Sequence, residues 1–279
     1  MELKQTLNEK LRASLTPTNH KSLNSTFVGD SQIYQQRIFV KVFAQARKLY
    51  AEKMVNQELN DRVLTDFALP REKLLVLVMT DLAPQDVTST MTPQLAKEMG
   101  QVLAKFHTEV KPFAHIRRVD YPLDQVAEKI NNLQNIQART TLAELRKYFL
   151  PYRDVIAADL AAHSKIVQHG DVGLRNYKIV GGKLTLIDYE KARLGTAFED
   201  FIKLFYQDLS CDQKLIDAFL QGYGIEKSQW QLKPVTEVYL IYIVALGIMN
   251  YTEKIPDDVF RAEGKKMLQT VAEFFRETN

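Results

Sequence analysis

The chain has 279 residues, 46% of them hydrophobic and 25% charged. This is the make-up of a soluble globular protein of one large or two modest domains, and it argues against long disordered tracts. Lys and Arg number 37 against 34 Asp and Glu, an excess too small to argue for a nucleic-acid or membrane partner. The single cysteine, Cys211, excludes an intramolecular disulfide framework and fits a reducing cytoplasm.

Met1 to Leu15 reads as a polar amphipathic helix without the apolar core of a signal peptide. Gln36 to Phe43 mixes β-branched and aromatic residues in near alternation, which predicts a strand. Arg47 to Leu59 then has helical spacing, with Leu49, Met54, Val55 and Leu59 apolar. Leu74 to Met79 is a continuous apolar run of strand length, the mark of a buried strand. Thr80 to Pro84 breaks that run and is the candidate linker.

Beyond it the texture is helical. Pro93 to His107 places Leu95, Met99, Val102, Leu103 and Phe106 on one face. Asp124 to Leu133, Thr141 to Phe149 and Asp154 to Ala162 read as further helices, and the chain is again mostly helical from Ala197 to the amphipathic stretch Asp258 to Glu277. The longest apolar run, Val238 to Met249, rises about 18 Å as a helix, against roughly 30 Å for a bilayer core, so it reads as a buried core helix. No internal repeat or low-complexity tract interrupts the pattern. The expectation is an α+β chain in two lobes, a small strand-rich one over residues 1–80 and a larger, mainly helical one over 81–279.

The segment that carries chemistry runs from His169 to Glu190. Two short β-type runs flank Gly181-Gly182, a hairpin signal because two-residue turns need positive φ, which glycine permits. Pairing outward matches Val180 with Lys183 and Tyr177 with Leu186, so Asp188 is expected to emerge beside Asn176, itself five residues past Asp171. Phosphoryl transfer from ATP needs such a set: Mg²⁺ to neutralise phosphate charge and a base to orient the attacking hydroxyl. Asn and Asp supply the hard oxygen ligands that Mg²⁺ prefers. The Asp-to-Asn spacing is also that of the protein-kinase catalytic loop.

His169-Gly170-Asp171, then Asn176, then Ile187-Asp188-Tyr189-Glu190, with Asp200 twelve residues further on, resembles the aminoglycoside phosphotransferase and choline kinase superfamily. The resemblance implies a two-lobed protein-kinase-like fold. It implies Asp171 as catalytic base, Asn176 and Asp188 as Mg²⁺ ligands, and Asp200 as a brace for the catalytic loop. Val40-Lys41-Val42 resembles the strand bearing the ATP-phosphate lysine, with Glu52 as ion-pair partner of Lys41 and Glu58 as the alternative. Val76 to Leu82 resembles the strand entering the hinge, whose backbone at Met79 and Thr80 would bind adenine. Gly100 to His107 resembles the family's Leu-Ala-x-x-His helix. Three features depart from the pattern. Val172-Gly173-Leu174-Arg175 stands where relatives more often have His or Pro. Thr80 replaces a frequent acidic residue. No glycine-rich G-x-G-x-x-G or Walker A motif occurs, leaving Thr16 to Ser25 as the phosphate-loop candidate.

The expected activity is therefore transfer of the ATP γ-phosphate to a hydroxyl of a small molecule, whether aminoglycoside, choline or ethanolamine, thiamine or sugar-like. The rival is a catalytically silent nucleotide-binding regulator. A protein kinase is disfavoured, because Ile187-Asp188-Tyr189-Glu190 replaces Asp-Phe-Gly and no Ala-Pro-Glu follows. The expected partners are ATP, Mg²⁺ and the acceptor, with no nucleic acid or membrane, in a cytoplasmic monomer or homodimer. His169 reads as a buried loop-shaping residue, His107 as helix-end packing, and Cys211 as inert. Tyr239, Tyr242 and Trp230 read as core before pocket, and Glu190 as a possible contact to substrate or metal.

Overall fold

The computed structural model describes residues 3–18, 24–119, 121–163, 166–225 and 232–278. Its internal contacts divide the chain into two compact units, Met1–Val87 with Lys178–Ala192, and Thr88–Tyr177 with Arg193–Asn279.

The first unit is built on a five-stranded antiparallel sheet of order β1-β2-β3-β5-β4. Its strands are β1 (Thr16–Pro17), β2 (Ser25–Ser31), β3 (Gln36–Phe43), β4 (Val63–Leu69) and β5 (Leu74–Thr80). Side chains alternate across a strand, and here both faces are covered. Ile38, Val40 and Val42 of β3 join Val76 and Val78 of β5 under Leu7 and Leu11 of helix α1 (Leu3–Leu11). Phe43, Leu77 and Met79 pack on the other side with Leu49 of helix α2 (Ala46–Leu59). Lys41 has the parity of Phe43, so it lies on the α2 face, opposite Leu77 in the ladder. The expected strands at 36–43 and 74–79 and the helix at 47–59 are all formed. Strand β4 was not legible: Val63-Leu64-Thr65-Asp66-Phe67 carries a bulge at Val63/Thr65 that breaks its alternation.

The same unit includes β6 (Gln85–Asp86), β8 (Tyr177–Val180) and β9 (Lys183–Leu186), a sheet of order β6-β8-β9. The hairpin turns on Gly181 and Gly182 at φ 55° and 78°, as their sequence requires. Gln85 pairs with Ile179 and Asp86 with Lys178, and an ion pair joins Lys178 to Asp86. That strand pairing draws the hairpin to residues 1–87. The division is thus discontinuous in sequence, unlike the single boundary expected after residue 80.

The second unit is helical: α3 (Pro93–Glu109), α4 (Leu123–Asn131), α5 (Ile136–Phe149), α6 (Arg153–His163), α7 (Ala197–Lys203), α8 (Gln213–Tyr223), α9 (Pro234–Lys254) and α10 (Asp258–Thr278). Helix α5 starts earlier than its apolar spacing suggests, because Asn135 caps it by accepting from the Ala138 N–H. Strands β7 (Ile166–Gln168) and β10 (Arg193–Gly195) pair antiparallel, each too short to leave a periodic signal. Helix α9 is long and apolar enough to span a bilayer by length and composition. Most of it is buried, with Tyr239, Tyr242, Leu246 and Met249 in the main core among α4, α5, α6 and α10.

Helices α3 and α8 meet through glycines. A Cβ on Gly100 would lie 2.1 Å from the Phe219 carbonyl oxygen, and one on Gly222 would lie 1.9 Å from that of Lys97. These backbones approach only because neither residue has a side chain. Gly100→Ala is therefore expected to destabilise the protein by about 1–3 kcal/mol, the usual cost of overpacking. Urea denaturation measures it, and an unchanged midpoint would contradict the close approach.

Candidate active site

In the first unit the site centres on Lys41. Its ammonium bonds Glu52 Oε2 at 3.0 Å and lies 3.1 Å from Glu190 Oε2, and it also pairs with Asp188. Burial works to lower the pKa of Lys41, but Glu52, Asp188 and Glu190 together raise it, so the ammonium stays charged inside the fold. The pairing with Glu52 follows from the sheet: strand parity turns Lys41 toward α2, and Glu52 lies on the buried face of that helix.

The network runs on from there. Asn56 Nδ2 donates to Glu52 Oε1 at 3.0 Å, and Arg62 Nε donates to Asn56 Oδ1 at 2.6 Å. Burial lowers the pKa of Arg62, opposed by the charge of Glu52. Lys48 Nζ donates to Glu190 Oε1 at 2.8 Å, and Asn24 also donates to Glu190. Lys48, Glu52 and Asn56 stand four apart on α2, the spacing that stacks side chains on one helix face. That spacing is the signal that Lys48 and Asn56 leave in the sequence. Glu58, the alternative partner of Lys41, is exposed.

Asp188 follows β9 with φ at 70°, a left-handed conformation uncommon outside glycine that Asp and Asn adopt most readily. Its side chain is 37% exposed whereas that of Lys41 is 5% exposed, so the carboxylate is both ion-paired and reachable from solvent. Met79 is buried in the sheet. The N–H of Thr80 donates to the Arg62 carbonyl, that of Asp81 to the Arg37 carbonyl, and that of Ala83 to Asp81 Oδ1. Of the phosphate-loop candidate, residues 19–23 lie outside the described residues, while Thr18 N donates to the Thr26 carbonyl at 3.0 Å.

In the second unit the loop from His169 to Asn176 is held by Asp200 of α7. Asp200 Oδ2 accepts from the His169 N–H at 2.7 Å, and Oδ1 accepts from the Gly170 N–H at 2.8 Å. His107 Nε2 donates to Asp200 Oδ2 at 3.0 Å, and His107 Nδ1 is hydrogen-bonded with the Tyr223 hydroxyl at 2.8 Å. His107 is thus a member of this brace and more than a packing residue. The closeness of α3 to α8 sets its partner in place. Burial pushes the pKa of Asp200 up, but the hydrogen bond and charge of His107, the charge of His169 and the Gly170 N–H outweigh it, and the net shift is downward. His169 is fully buried, and its Nδ1 accepts from the Asp171 N–H at 3.3 Å.

Asp171 stands after this grip, buried, with Lys203 Nζ donating to Oδ1 and Arg175 Nη2 to Oδ2, both at 2.6 Å. Asn176 Nδ2 donates to the Asp171 carbonyl at 2.7 Å. That bond commits the amide nitrogen and leaves the Asn176 Oδ1 as the acceptor end, the atom a hard cation needs. Asp171 and Asn176 thus share one loop of the helical unit, while Lys41, Glu52, Asp188 and Glu190 form one cluster in the strand unit. Tyr239 and Tyr242 are core residues whose hydroxyls donate to the carbonyls of Tyr121 and Leu142. Trp230 lies outside the described residues.

The sequence profile described as the phosphotransferase enzyme family matches residues 26–233. No protein of curated function matches. Among solved structures the chain is similar to an aminoglycoside phosphotransferase, APH(4)-Ia, in ternary complex with ADP and hygromycin B, at TM-score 0.69 and 13% identity over 98% of each chain. It is similar to the choline kinase LicA from Streptococcus pneumoniae, at TM-score 0.62 and 18% identity over 97% of this chain and 98% of that one. It is also similar to the amicoumacin kinase hAmiN, in complex with AMP-PNP, Ca²⁺ and Ami, at TM-score 0.66 and 12% identity over 98% and 94%. At such identities the likeness establishes the fold, which is the kinase-like one expected, with a strand-rich N-terminal part and a mainly helical C-terminal part.

The brace has a pH signature. A carboxylate with a lowered folded-state pKa contributes stability that is present above its unfolded value, 3.8 for Asp200, and lost as pH falls through the folded one. Asp200→Asn should therefore cost about 2 kcal/mol or more at neutral pH, and the gap from wild type should close below about pH 4. Urea denaturation at a series of pH values reads both. A gap that stays constant into acid would show that the Asp200 charge does not carry the effect.

Proposed function

We propose that this chain, which belongs to the phosphotransferase enzyme family, transfers the γ-phosphate of ATP to a hydroxyl group of a small molecule, with Mg²⁺ as the metal. The observation that carries the reading is Lys41: a buried ammonium kept charged by Glu52 and Glu190 and bonded to the partly exposed Asp188. A fixed cation of this kind suits polyphosphate, because its geometry is set before the ligand arrives.

The residues fit the metal. The carboxylate of Asp188 and Oδ1 of Asn176 are hard oxygen donors, and the Asn176 amide is already turned by its bond to the Asp171 carbonyl. When bound, Mg²⁺ neutralises charge on the phosphates. Lys41 steadies the phosphates, and the backbone from Met79 to Leu82 is the place for adenine. Asp171 orients the acceptor hydroxyl and takes its proton. A carboxylate has about four lone-pair sites, so accepting from Lys203 and Arg175 does not exhaust it.

Two variants separate the roles. Asp171→Asn should lower turnover by roughly 10²–10⁴, the scale for a positioned base, with little change in ATP affinity. Lys41→Met should mainly raise the KM for ATP. The assay is ATP consumption with Mg²⁺ over aminoglycosides, choline, ethanolamine, thiamine and sugars. An Asp171→Asn variant within about twofold of wild type would remove Asp171 as the base. Tight Mg-ATP binding without turnover on any compound would point instead to a nucleotide-binding regulator.

A further inference from the structure

We propose that Lys203 is a catalytic residue of this centre, whose ammonium donates to the oxygens of the phosphoryl group while that group passes to the acceptor. The proposal rests on the phosphotransferase reading above and adds a residue to it.

Lys203 is the last residue of α7, three positions after Asp200. One short helix therefore does two things. Through Asp200 it holds the backbone at His169 and Gly170, and through Lys203 it places a cation 2.6 Å from Asp171 Oδ1. The ammonium also sits over the Phe260 ring, 5.6 Å from its centroid, a cation–π contact that fixes the stem. Gly173 borders the same space. A Cβ there would lie 3.2 Å from Asp208 Oδ2 and 3.9 Å from Lys203 Nζ. Asp208 in turn accepts from the Leu174 N–H at 3.0 Å, so the loop on that side is pinned as well.

The charge at Asp171 is more than a base needs. Its two oxygens accept from two cations, Lys203 and Arg175. They differ in setting: the Lys203 side chain is 16% exposed and that of Arg175 is 60% exposed. A shielded, anchored charge acts in a lower dielectric and needs no reorganisation when negative charge develops nearby. An ammonium has three N–H donors and can therefore bond a carboxylate and phosphate oxygens together.

The chemistry places those oxygens there. The acceptor hydroxyl gives its proton to Asp171 as its oxygen bonds to the γ-phosphorus. The bond from that phosphorus to the β,γ-bridging oxygen breaks, and ADP leaves with the electron pair. Charge spreads over the three equatorial oxygens of the group in transit. An acceptor oxygen within about 3 Å of Asp171 brings that group to a donor that already touches the same carboxylate.

The test uses the full chain with Mg-ATP and any acceptor active in the panel above, water included. Lys203→Met keeps the stem over Phe260 and removes the charge. It should lower kcat by roughly 10²–10³, as removal of an oxyanion donor does. The KM for ATP and the affinity for AMP-PNP should stay within about threefold. Lys203→Arg should restore at least about tenfold of the loss. Lys203→Gln carries the same expectation as the methionine variant if that one does not fold, as judged by thermal melting. A kcat within about threefold of wild type, or a defect confined to the KM for ATP, would overturn the assignment and leave the phosphotransferase reading standing. Wild-type protein that transfers phosphate to no acceptor, and not to water, would overturn both.

Discussion

A lysine ammonium enclosed between a sheet and a helix must meet enough negative charge to remain there. Lys41 meets that constraint with Glu52 from α2 and with Asp188 and Glu190 from the segment after the β8–β9 hairpin. Much of the first unit follows from it. The parity of β3 turns Lys41 toward α2, and the buried face of α2 has to supply Glu52. The hairpin has to join the strand unit, although a long helical stretch separates it in sequence. Arg62, Asn56 and Lys48 extend the same compensation around Glu52 and Glu190.

The helical unit solves a different problem. A loop has few backbone partners of its own, and for the loop from His169 to Asn176 Asp200 supplies them by accepting from two consecutive N–H groups. His107 supports Asp200, and Tyr223 supports His107. That line of bonds crosses from α8 to α3 to α7. It depends on Gly100 and Gly222 letting two of those helices touch. A packing feature remote from the chemistry thus sets the position of the loop that ends at Asp171.

The two clusters share a physical style. In each, a carboxylate is already bonded to a cation: Asp188 to Lys41, and Asp171 to Lys203 and Arg175. Fixed charges of this sort act by being in place beforehand, which suits a reaction in which positioning and electrostatics supply most of the catalysis.

The alternation at 36–43, the apolar run at 74–79 and the helical spacings marked their elements, because burial imposes those periods directly. The Gly181-Gly182 pair determined the hairpin, since positive φ at two successive positions leaves few other residues. The hairpin and the Asp-to-Asn spacing pointed to Asp171, Asn176 and Asp188, and the resemblance to the kinase superfamily added Lys41, Glu52 and Asp200. The Lys41–Glu52 pair and the Asp200 brace were expected from the resemblance, and the other contacts of these residues emerged only with the fold. The tertiary structure placed the hairpin with the strand unit, because a two-residue strand at Gln85–Asp86 carries no periodic signal yet pairs with β8. It recruited His107, Lys48 and Lys203, whose partners lie from 93 to 142 positions away in the first two cases and 32 in the third. A hydrogen bond depends on distance in space, and no local pattern of residues encodes a partner so far along the chain.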